Sequence, residues 1–247
     1  MNKFFIYLLN LAITCHQSQI FERAASLTYR MIFAFFPFLI FLLMLVGIFD
    51  LDQSAIVEGL IANLPADIGL LISDFLAEMG DIAGAGMLST ALFFTLLNTS
   101  NGFRAIVRIA NRSYNGPDAS FIRQVGLSIV LMLLFSAMII TMLLVLVFDG
   151  RLWWAAFGFL VIVTMVVYRL SSGIKLKLLY LLPGAIFAVV GWGVVSALFS
   201  MFIQDFTQYS AIYGSIAGVF VLILWLNIVS TILLIGNEIN AELLQYD

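Results

Sequence analysis

One long apolar stretch near the end of the chain, Gly214 to Gly236, constrains the fold most. It is long enough to cross a bilayer, because about 20 helical residues at ~1.5 Å each span the hydrocarbon core. Asn227 lies inside the stretch, and Asn237 and Glu238 follow it directly. Polar groups in hydrocarbon cost free energy unless they meet partners. We therefore predict a membrane helix that faces other helices rather than lipid.

The composition extends this prediction to the whole chain. Hydrophobic residues make up 63% of the sequence and charged residues 10%, with a mean hydropathy of +1.12, which excludes an ordinary soluble domain. The apolar runs are long and continuous, so we predict an all-α polytopic membrane protein, with residues 1–247 as a single membrane domain. The predicted spans are Ala25–Phe49, Met87–Ile109, Phe121–Phe148, Leu152–Leu170, Leu179–Ile203 and Ala211–Ile235.

The basic residues predict the orientation of these six spans. Ten of the eleven Lys and Arg residues fall on one side, and only Arg151 falls on the other. Basic loops stay in the cytoplasm, so both termini are predicted to be cytoplasmic. Residues 1–22 are predicted to form an amphipathic helix on the cytoplasmic surface. The alternative is a signal sequence ending at Cys15, but the preceding Ala12-Ile13-Thr14 fits a cleavage site poorly.

The connection between the first two spans, residues 50–86, is predicted to be external. It carries seven acidic residues and no Lys or Arg. Apolar residues recur in it at helical spacing, which predicts two short amphipathic helices. Two interpretations stay open for these helices. They form a lid that packs on the spans, or they form a docking surface for a periplasmic or other envelope protein.

Seven polar residues are predicted at comparable depth in the inner leaflet. They are Arg30, Asn98, Asn101, Arg104, Asn227, Asn237 and Glu238. Intramembrane ionisable residues mark substrate or ion pathways and tend to pair with one another, so we expect Glu238 near Arg30, Arg104 or both. The alternative is a structural network that fixes helix register, or arginines that extend to the headgroups.

Three further residues are predicted to shape the helices. Pro37 interrupts an aromatic stretch in the first span, where a proline removes one backbone donor and kinks the helix. Gly214 and Gly218 start the last span with a small-residue face suited to close helix contact.

Enzymatic chemistry finds little support in the sequence. RNA hydrolysis needs acid–base groups or metal-bound carboxylates on a surface that can hold a polyanion, and the cytoplasmic connections are short. The only histidine, His16, is remote from the spans, which excludes a serine nucleophile with a histidine base and a zinc protease motif. The chain has no nucleotide-binding loop. We expect no enzyme activity, no metal, no cofactor and no nucleic-acid partner.

Four stretches of the chain carry a resemblance to a known family. They are AASLTYRMIFAFFPFLIFL in the first span, FRAIVRIANRSYN after the second, LLPGAIFAVVGWGVVSALFSMFI in the fifth and YGSIAGVFVLILWLNIVSTILLIGNEINAE in the sixth. Together they resemble the YihY/BrkB family of bacterial inner-membrane proteins, which were long mislabelled as ribonuclease BN. The resemblance covers about Phe21 to Glu242. Arg30 departs from the aromatic or polar residue expected after Tyr29.

The resemblance implies a six-helix inner-membrane protein with a role in envelope lipid or solute transport. Together with the inner-leaflet polar set, it favours a transporter or flippase-like protein that acts on a lipid or small solute. The alternative is a scaffold that does not transport and docks a periplasmic partner through the acidic external helices. Membrane lipids are expected partners under either hypothesis, and a homo-oligomer is compatible with both.

Overall fold

A computed structural model of the protein describes residues 10–11, 13–48, 58, 70, 73–74, 87–114, 116, 120–147, 153–174, 176–213 and 215–244. Within these residues the chain forms six long helices. They are α1 (Ile20–Ile48), α2 (Met87–Asn111), α3 (Phe121–Val147), α4 (Trp153–Ser171), α5 (Leu182–Tyr213) and α6 (Ser215–Leu243). A short 3-10 turn, Arg112–Tyr114, follows α2, and another, Leu178–Leu181, precedes α5.

Each predicted span overlaps one of these helices over most of its length. The boundary between the fifth and sixth differs, since α5 continues past the predicted Ile203 to Tyr213 and includes Ala211, where the sixth span was predicted to begin. In the described part of the chain, four helices are long and apolar enough to cross a membrane: their apolar segments are Phe121–Thr141, Trp154–Ser171, Leu178–Phe199 and Gly218–Leu243. The chain is therefore a helical membrane protein, as predicted. Membrane crossing by α1 and α2, and with it the six-span arrangement, stays a prediction.

The six helices pack as a closed ring. Each helix contacts the next along the chain, α6 returns to contact α1, and α2 also contacts α4. The most buried apolar side chains lie at the helix contacts, among them Leu27 on α1, Ile106 on α2 and Leu131 on α3. Aromatic rings join the first three helices, since Phe103 of α2 lies 5.6 Å from Phe38 and 5.2 Å from Phe135 between ring centroids.

Among the described glycines, the closest approach between two helices is made by those of α5 and α6. A Cβ atom added to Gly184 would collide with the carbonyl oxygen of Gly236, and one added to Gly236 would lie 2.6 Å from the carbonyl oxygen of Gly184. Only glycine permits this approach, as expected for small residues at membrane helix contacts. Two turns further along α5, a Cβ at Gly191 would lie 2.9 Å from Ile232.

The helix-shaping residues predicted from the sequence have different outcomes. Gly218 is buried and its packing role stays a prediction, whereas Gly214 lies outside the described residues. α1 continues through Pro37 to Ile48. The kink at Pro37 stays a prediction.

The segment before α1 packs on protein in its described part. Residues 13–17 are helical, and Gln19 turns the chain with a positive φ of 51° before α1 begins at Ile20. Thr14 donates a hydrogen bond to Glu242 near the end of α6, and Cys15 is half-buried. Of the predicted external helices at residues 50–86, only 58, 70, 73 and 74 are described, and all four are helical. The choice between lid and docking surface falls on residues outside the described part.

Candidate functional site

The last turns of α6 carry the densest group of buried polar side chains. Asn237 and Asn240 are fully buried, and Glu238 and Glu242 are 3% and 6% exposed. The glycine contact between Gly236 and α5 brings this end of α6 into the bundle. Buried polar groups require partners, since an unpaired one costs about 1–3 kcal/mol. The partners of these four residues come from five other elements: the segment before α1, α1, α2, the turn after α2, and α5.

Glu238 is held by an arginine and a serine. Arg23 Nη1 lies 3.3 Å from Glu238 Oε1, and Ser113 Oγ donates to the same oxygen at 3.0 Å. The carboxylate thus joins α1, the turn after α2, and α6. The sequence predicted Arg30 or Arg104 as the cationic partner, and the structure gives Arg23 instead. Arg23 lies near the start of α1, at the same end of the bundle as the end of α6.

The two asparagines cap neighbouring helices. Asn237 Nδ2 donates to the carbonyl oxygen of Ala110 at 3.0 Å, in the last turn of α2. Asn240 Oδ1 accepts from the backbone N–H of Gly184 at 2.8 Å, in the first turn of α5. The last carbonyls and first N–H groups of a helix have no partner within the helix, so each asparagine satisfies one of them. These two side chains have a sufficient structural role.

The carboxylates at the end of α6 raise the pKa of two groups outside the spans, Cys15 and Tyr114. The pKa of the Cys15 thiol is raised to about 11. Burial is the largest cause, and the negative charges of Glu238 and Glu242 contribute the rest. Burial, followed by the charge of Glu238, also raises the pKa of Tyr114. Tyr114 donates to the carbonyl oxygen of Asn237 at 3.4 Å. Negative charge in this group therefore disfavours further anions.

Polar side chains continue from Glu238 along the contact between α1 and α6. Thr28 Oγ1 donates to the carbonyl oxygen of Ala24 at 2.8 Å and lies 3.5 Å from Ser230 Oγ. Asn227 Nδ2 donates to Thr28 Oγ1 at 3.5 Å. We call the set Arg23, Thr28, Asn227, Ser230 and Glu238 the polar seam. From Glu238 to Asn227 it extends about 16 Å along α6, at about 1.5 Å per residue.

Five of the seven predicted pathway residues fall into two groups, and Arg30 and Asn98 belong to neither. Asn227, Asn237 and Glu238 lie at the α1–α6 contact or the end of α6. Asn101 and Arg104 lie on an outer face of α2, where the Arg104 guanidinium donates to Asn101 Oδ1 and lies 5.2 Å from the centroid of the Phe121 ring. Arg30 is exposed on α1, and the side chain of Asn98 lies outside the described residues.

The site also contains four residues that were not predicted as members of it: Arg23, Thr28, Ser113 and Ser230. A signal for Arg23 was present, because a buried carboxylate at the end of α6 needs a cation at the same end of the bundle. Thr28 lies close to Ser26 and Arg30, and Ser230 is followed by Thr231, so both stand in locally polar stretches, but nothing in the sequence pairs them. Within the described residues no group of three His, Cys, Asp or Glu side chains could hold a metal ion.

The match to a known family covers this site. A family model described as virulence factor BrkB matches residues 14–247. This chain belongs to the BrkB family. The resemblance drawn from the motifs is thereby confirmed, and all members of the polar seam lie within the matched residues.

Several BrkB relatives are named as membrane proteins. YfkH of Bacillus subtilis (strain 168), named as a putative ribonuclease-like protein, is 34% identical over 253 residues, which cover 93% of this chain and 91% of the relative. A UPF0761 membrane protein of Aeromonas salmonicida (strain A449) is 31% identical over 91 residues, 37% of this chain and 31% of the relative. One from Xanthomonas oryzae pv. oryzae (strain PXO99A) is 23% identical over 248 residues, 91% of this chain and 57% of the relative. No solved structure matches this chain significantly.

Proposed function

We propose that this BrkB-family chain is a transporter or flippase-like protein that moves a lipid or small solute across the bacterial inner membrane. In this proposal all six helices cross the membrane, both termini are cytoplasmic, and the substrate's polar part passes along the polar seam between α1 and α6. The observation that carries the proposal is the seam itself.

The length of the seam supports a pathway. It covers about 16 Å of α6, against a hydrocarbon core of about 30 Å, so polar groups extend from one end of the bundle through about half of the membrane. The helix that carries this part of the seam, α6, is one of the four that are long and apolar enough to cross a membrane. Polar side chains in such a helix are costly and commonly functional.

The geometry of Asn227 supports a pathway over a purely structural network. Asn237 and Asn240 make short bonds that cap helices, whereas Asn227 Nδ2 makes a long bond of 3.5 Å to Thr28 and is half-buried. An amide at this depth with one weak bond adds little to stability. It remains available to exchange its bond with a passing polar group.

The proposal can be tested in proteoliposomes. One measurement follows fluorescent phospholipids with different headgroups, using a reductant outside the vesicles to report transfer between leaflets. A second measurement follows vesicle swelling in small neutral and charged solutes. The parent protein is expected to accelerate transfer or uptake of at least one substrate, and Asn227→Leu is expected to reduce that rate at least tenfold.

Ser136→Ala provides the matched control, because Ser136 is a buried serine of α3 whose hydroxyl donates to the carbonyl oxygen of Met132 on its own helix. It should transport like the parent. If the parent moves neither lipids nor solutes, the proposal fails. If Asn227→Leu and Ser136→Ala transport equally well, the seam is not the pathway.

A further inference from the structure

Three arginines follow one face of α2 and continue into the turn after it. Arg104, Arg108 and Arg112 are four residues apart, which places them as neighbours along a helix surface. Arg108 and Arg112 are exposed and Arg104 is partly exposed. We call these three residues the arginine row. Like charges at this spacing repel, so the row raises the free energy of α2 unless an anion lies against it.

The described residues hold Arg104 in place without placing a carboxylate against it. Its guanidinium donates to Asn101 Oδ1 and stacks over the ring of Phe121, and its Nε is shielded from solvent without a hydrogen-bond partner among the described residues. In the described part of the chain, no carboxylate forms an ion pair with any member of the arginine row. Among the described residues, the fixed guanidinium therefore has an unpartnered donor and no counter-charge.

The depth of the row indicates where its anion comes from. Arg104 lies seven residues before Asn111, the end of α2, or about 10 Å at about 1.5 Å per residue. The row thus begins inside the predicted second span and ends beyond it. Beside it, Phe121 and Ile122 are 70% and 83% exposed and offer an apolar surface. An anion joined to hydrocarbon chains can bind the arginines with its charge and cover Phe121 and Ile122 with its chains.

We propose that the arginine row binds the phosphate headgroup of an anionic phospholipid, with its acyl chains against Phe121 and Ile122. Arginine forks bind phosphate oxygens in pairs, and guanidinium groups at positions i and i+4 are close enough to share one phosphate. Basic residues near the membrane surface attract anionic lipids in general. Arg104 differs from such residues because Asn101 and Phe121 fix its guanidinium. The binding does not depend on transport along the polar seam.

Binding can be measured by native mass spectrometry of the full chain in detergent, titrated with phosphatidylglycerol or phosphatidylcholine. The parent should bind phosphatidylglycerol more tightly than phosphatidylcholine. The double variant Arg104→Gln with Arg108→Gln should bind it about 30-fold more weakly, since each basic residue near a membrane surface contributes about a fivefold factor.

The matched control is Arg169→Gln with Lys177→Gln, which removes two exposed positive charges from the same end of the bundle but outside the row. It should change the affinity less than twofold. Equal loss in both double variants would show attraction by net charge alone and overturn the proposal. Inorganic phosphate that competes as well as phosphatidylglycerol at equal concentration would overturn the lipid assignment.

A measurement on the parent protein guards against a variant that fails to fold. Phosphatidylglycerol with a photoreactive group close to the headgroup should crosslink to peptides that contain α2 or the start of α3. Crosslinks confined to α4 or α5 would overturn the proposal, whatever the variants do.

Discussion

Arg23 on α1 and Glu238 on α6 form an ion pair of 3.3 Å across 215 positions of sequence, with unequal burial of the two side chains. The Glu238 side chain is 4% exposed and the Arg23 side chain is 21% exposed. Burial of a charge is costly unless it is paired, so the two partners are not equivalent. The pair fixes the start of the first long helix against the end of the last one, and it closes the ring.

This inequality predicts different effects for the two neutral variants. Arg23→Gln leaves a buried carboxylate with Ser113 alone and should lower the free energy of unfolding by about 3 kcal/mol. Glu238→Gln leaves an arginine that can turn towards water and should cost about 1 kcal/mol. Denaturant unfolding in detergent measures both. The double variant should be more stable than Arg23→Gln alone, and equal losses in the two single variants would contradict the inequality.

The glycine contact between α5 and α6 gives a second prediction. Gly184→Ala introduces a Cβ that collides with Gly236 and should destabilise the protein by about 2–3 kcal/mol, because the helices must separate. Gly193→Ala is the matched control on the same helix, since a Cβ there meets no atom within 4 Å. It should be neutral or stabilising by up to about 1 kcal/mol. Thermal unfolding of the two variants in detergent checks the difference.

Sequence periodicity and hydropathy were enough to place the helices but not their partners. The predicted span Phe121–Phe148 agrees with the helix Phe121–Val147 over all of its described residues, because the apolar run there is continuous. The partner of Glu238 was predicted wrongly because Arg23 and Arg30 both lie on α1, and only the packing decides which one faces α6. The caps made by Asn237 and Asn240 depend on the meeting of three helix ends, which no local pattern encodes.

The glycines show the same limit. Gly218 was singled out because a second glycine lies four residues before it, a spacing known from helix dimers. Gly184 and Gly236 lie on different helices and have no common spacing in the sequence, although they make the closest described contact. Local spacing therefore finds small-residue faces, while only the ring arrangement reveals which of them meet.

Cys15 provides a test of the charges at the end of α6. Its pKa is raised from 9.0 to about 11, first by burial and then by Glu238 and Glu242. The thiolate is the reactive form, so at pH 7.5 alkylation should be about 100-fold slower than for an unperturbed thiol. The rate should rise with pH until about pH 11. Mass spectrometry after timed iodoacetamide treatment measures it.

Removing one of the neighbouring carboxylates should lower the pKa of Cys15 and speed its alkylation, because the thiolate then meets less negative charge. Glu242→Gln should show this effect, and Glu22→Gln, an exposed carboxylate on α1, should not. A Glu242→Gln protein whose rate follows the parent at every pH would show that Glu242 does not contribute to the raised pKa of Cys15.

The predicted orientation can be tested with two exposed positions in a Cys15→Ala background. A cysteine at Asp74 should react with a membrane-impermeant maleimide in intact spheroplasts, since residues 50–86 are predicted to be external. A cysteine at Lys177, between α4 and α5, should react only after permeabilisation. Labelling of Lys177→Cys from outside would invert the topology and place the polar seam in the outer half of the membrane.

The two asparagines Asn240 and Asn227 should separate stability from transport. Asn240→Ala leaves the buried N–H of Gly184 without its acceptor and should cost about 1–3 kcal/mol. Hydrogen exchange should then increase at the start of α5. Asn227→Ala removes only a 3.5 Å bond from a half-buried amide and should cost less than about 1 kcal/mol. If α6 carries a pathway, transport per folded molecule should fall in Asn227→Ala and stay near the parent rate in Asn240→Ala. The reverse order, with Asn227→Ala active and Asn240→Ala inactive although folded, would move the pathway from the seam to the end of α6.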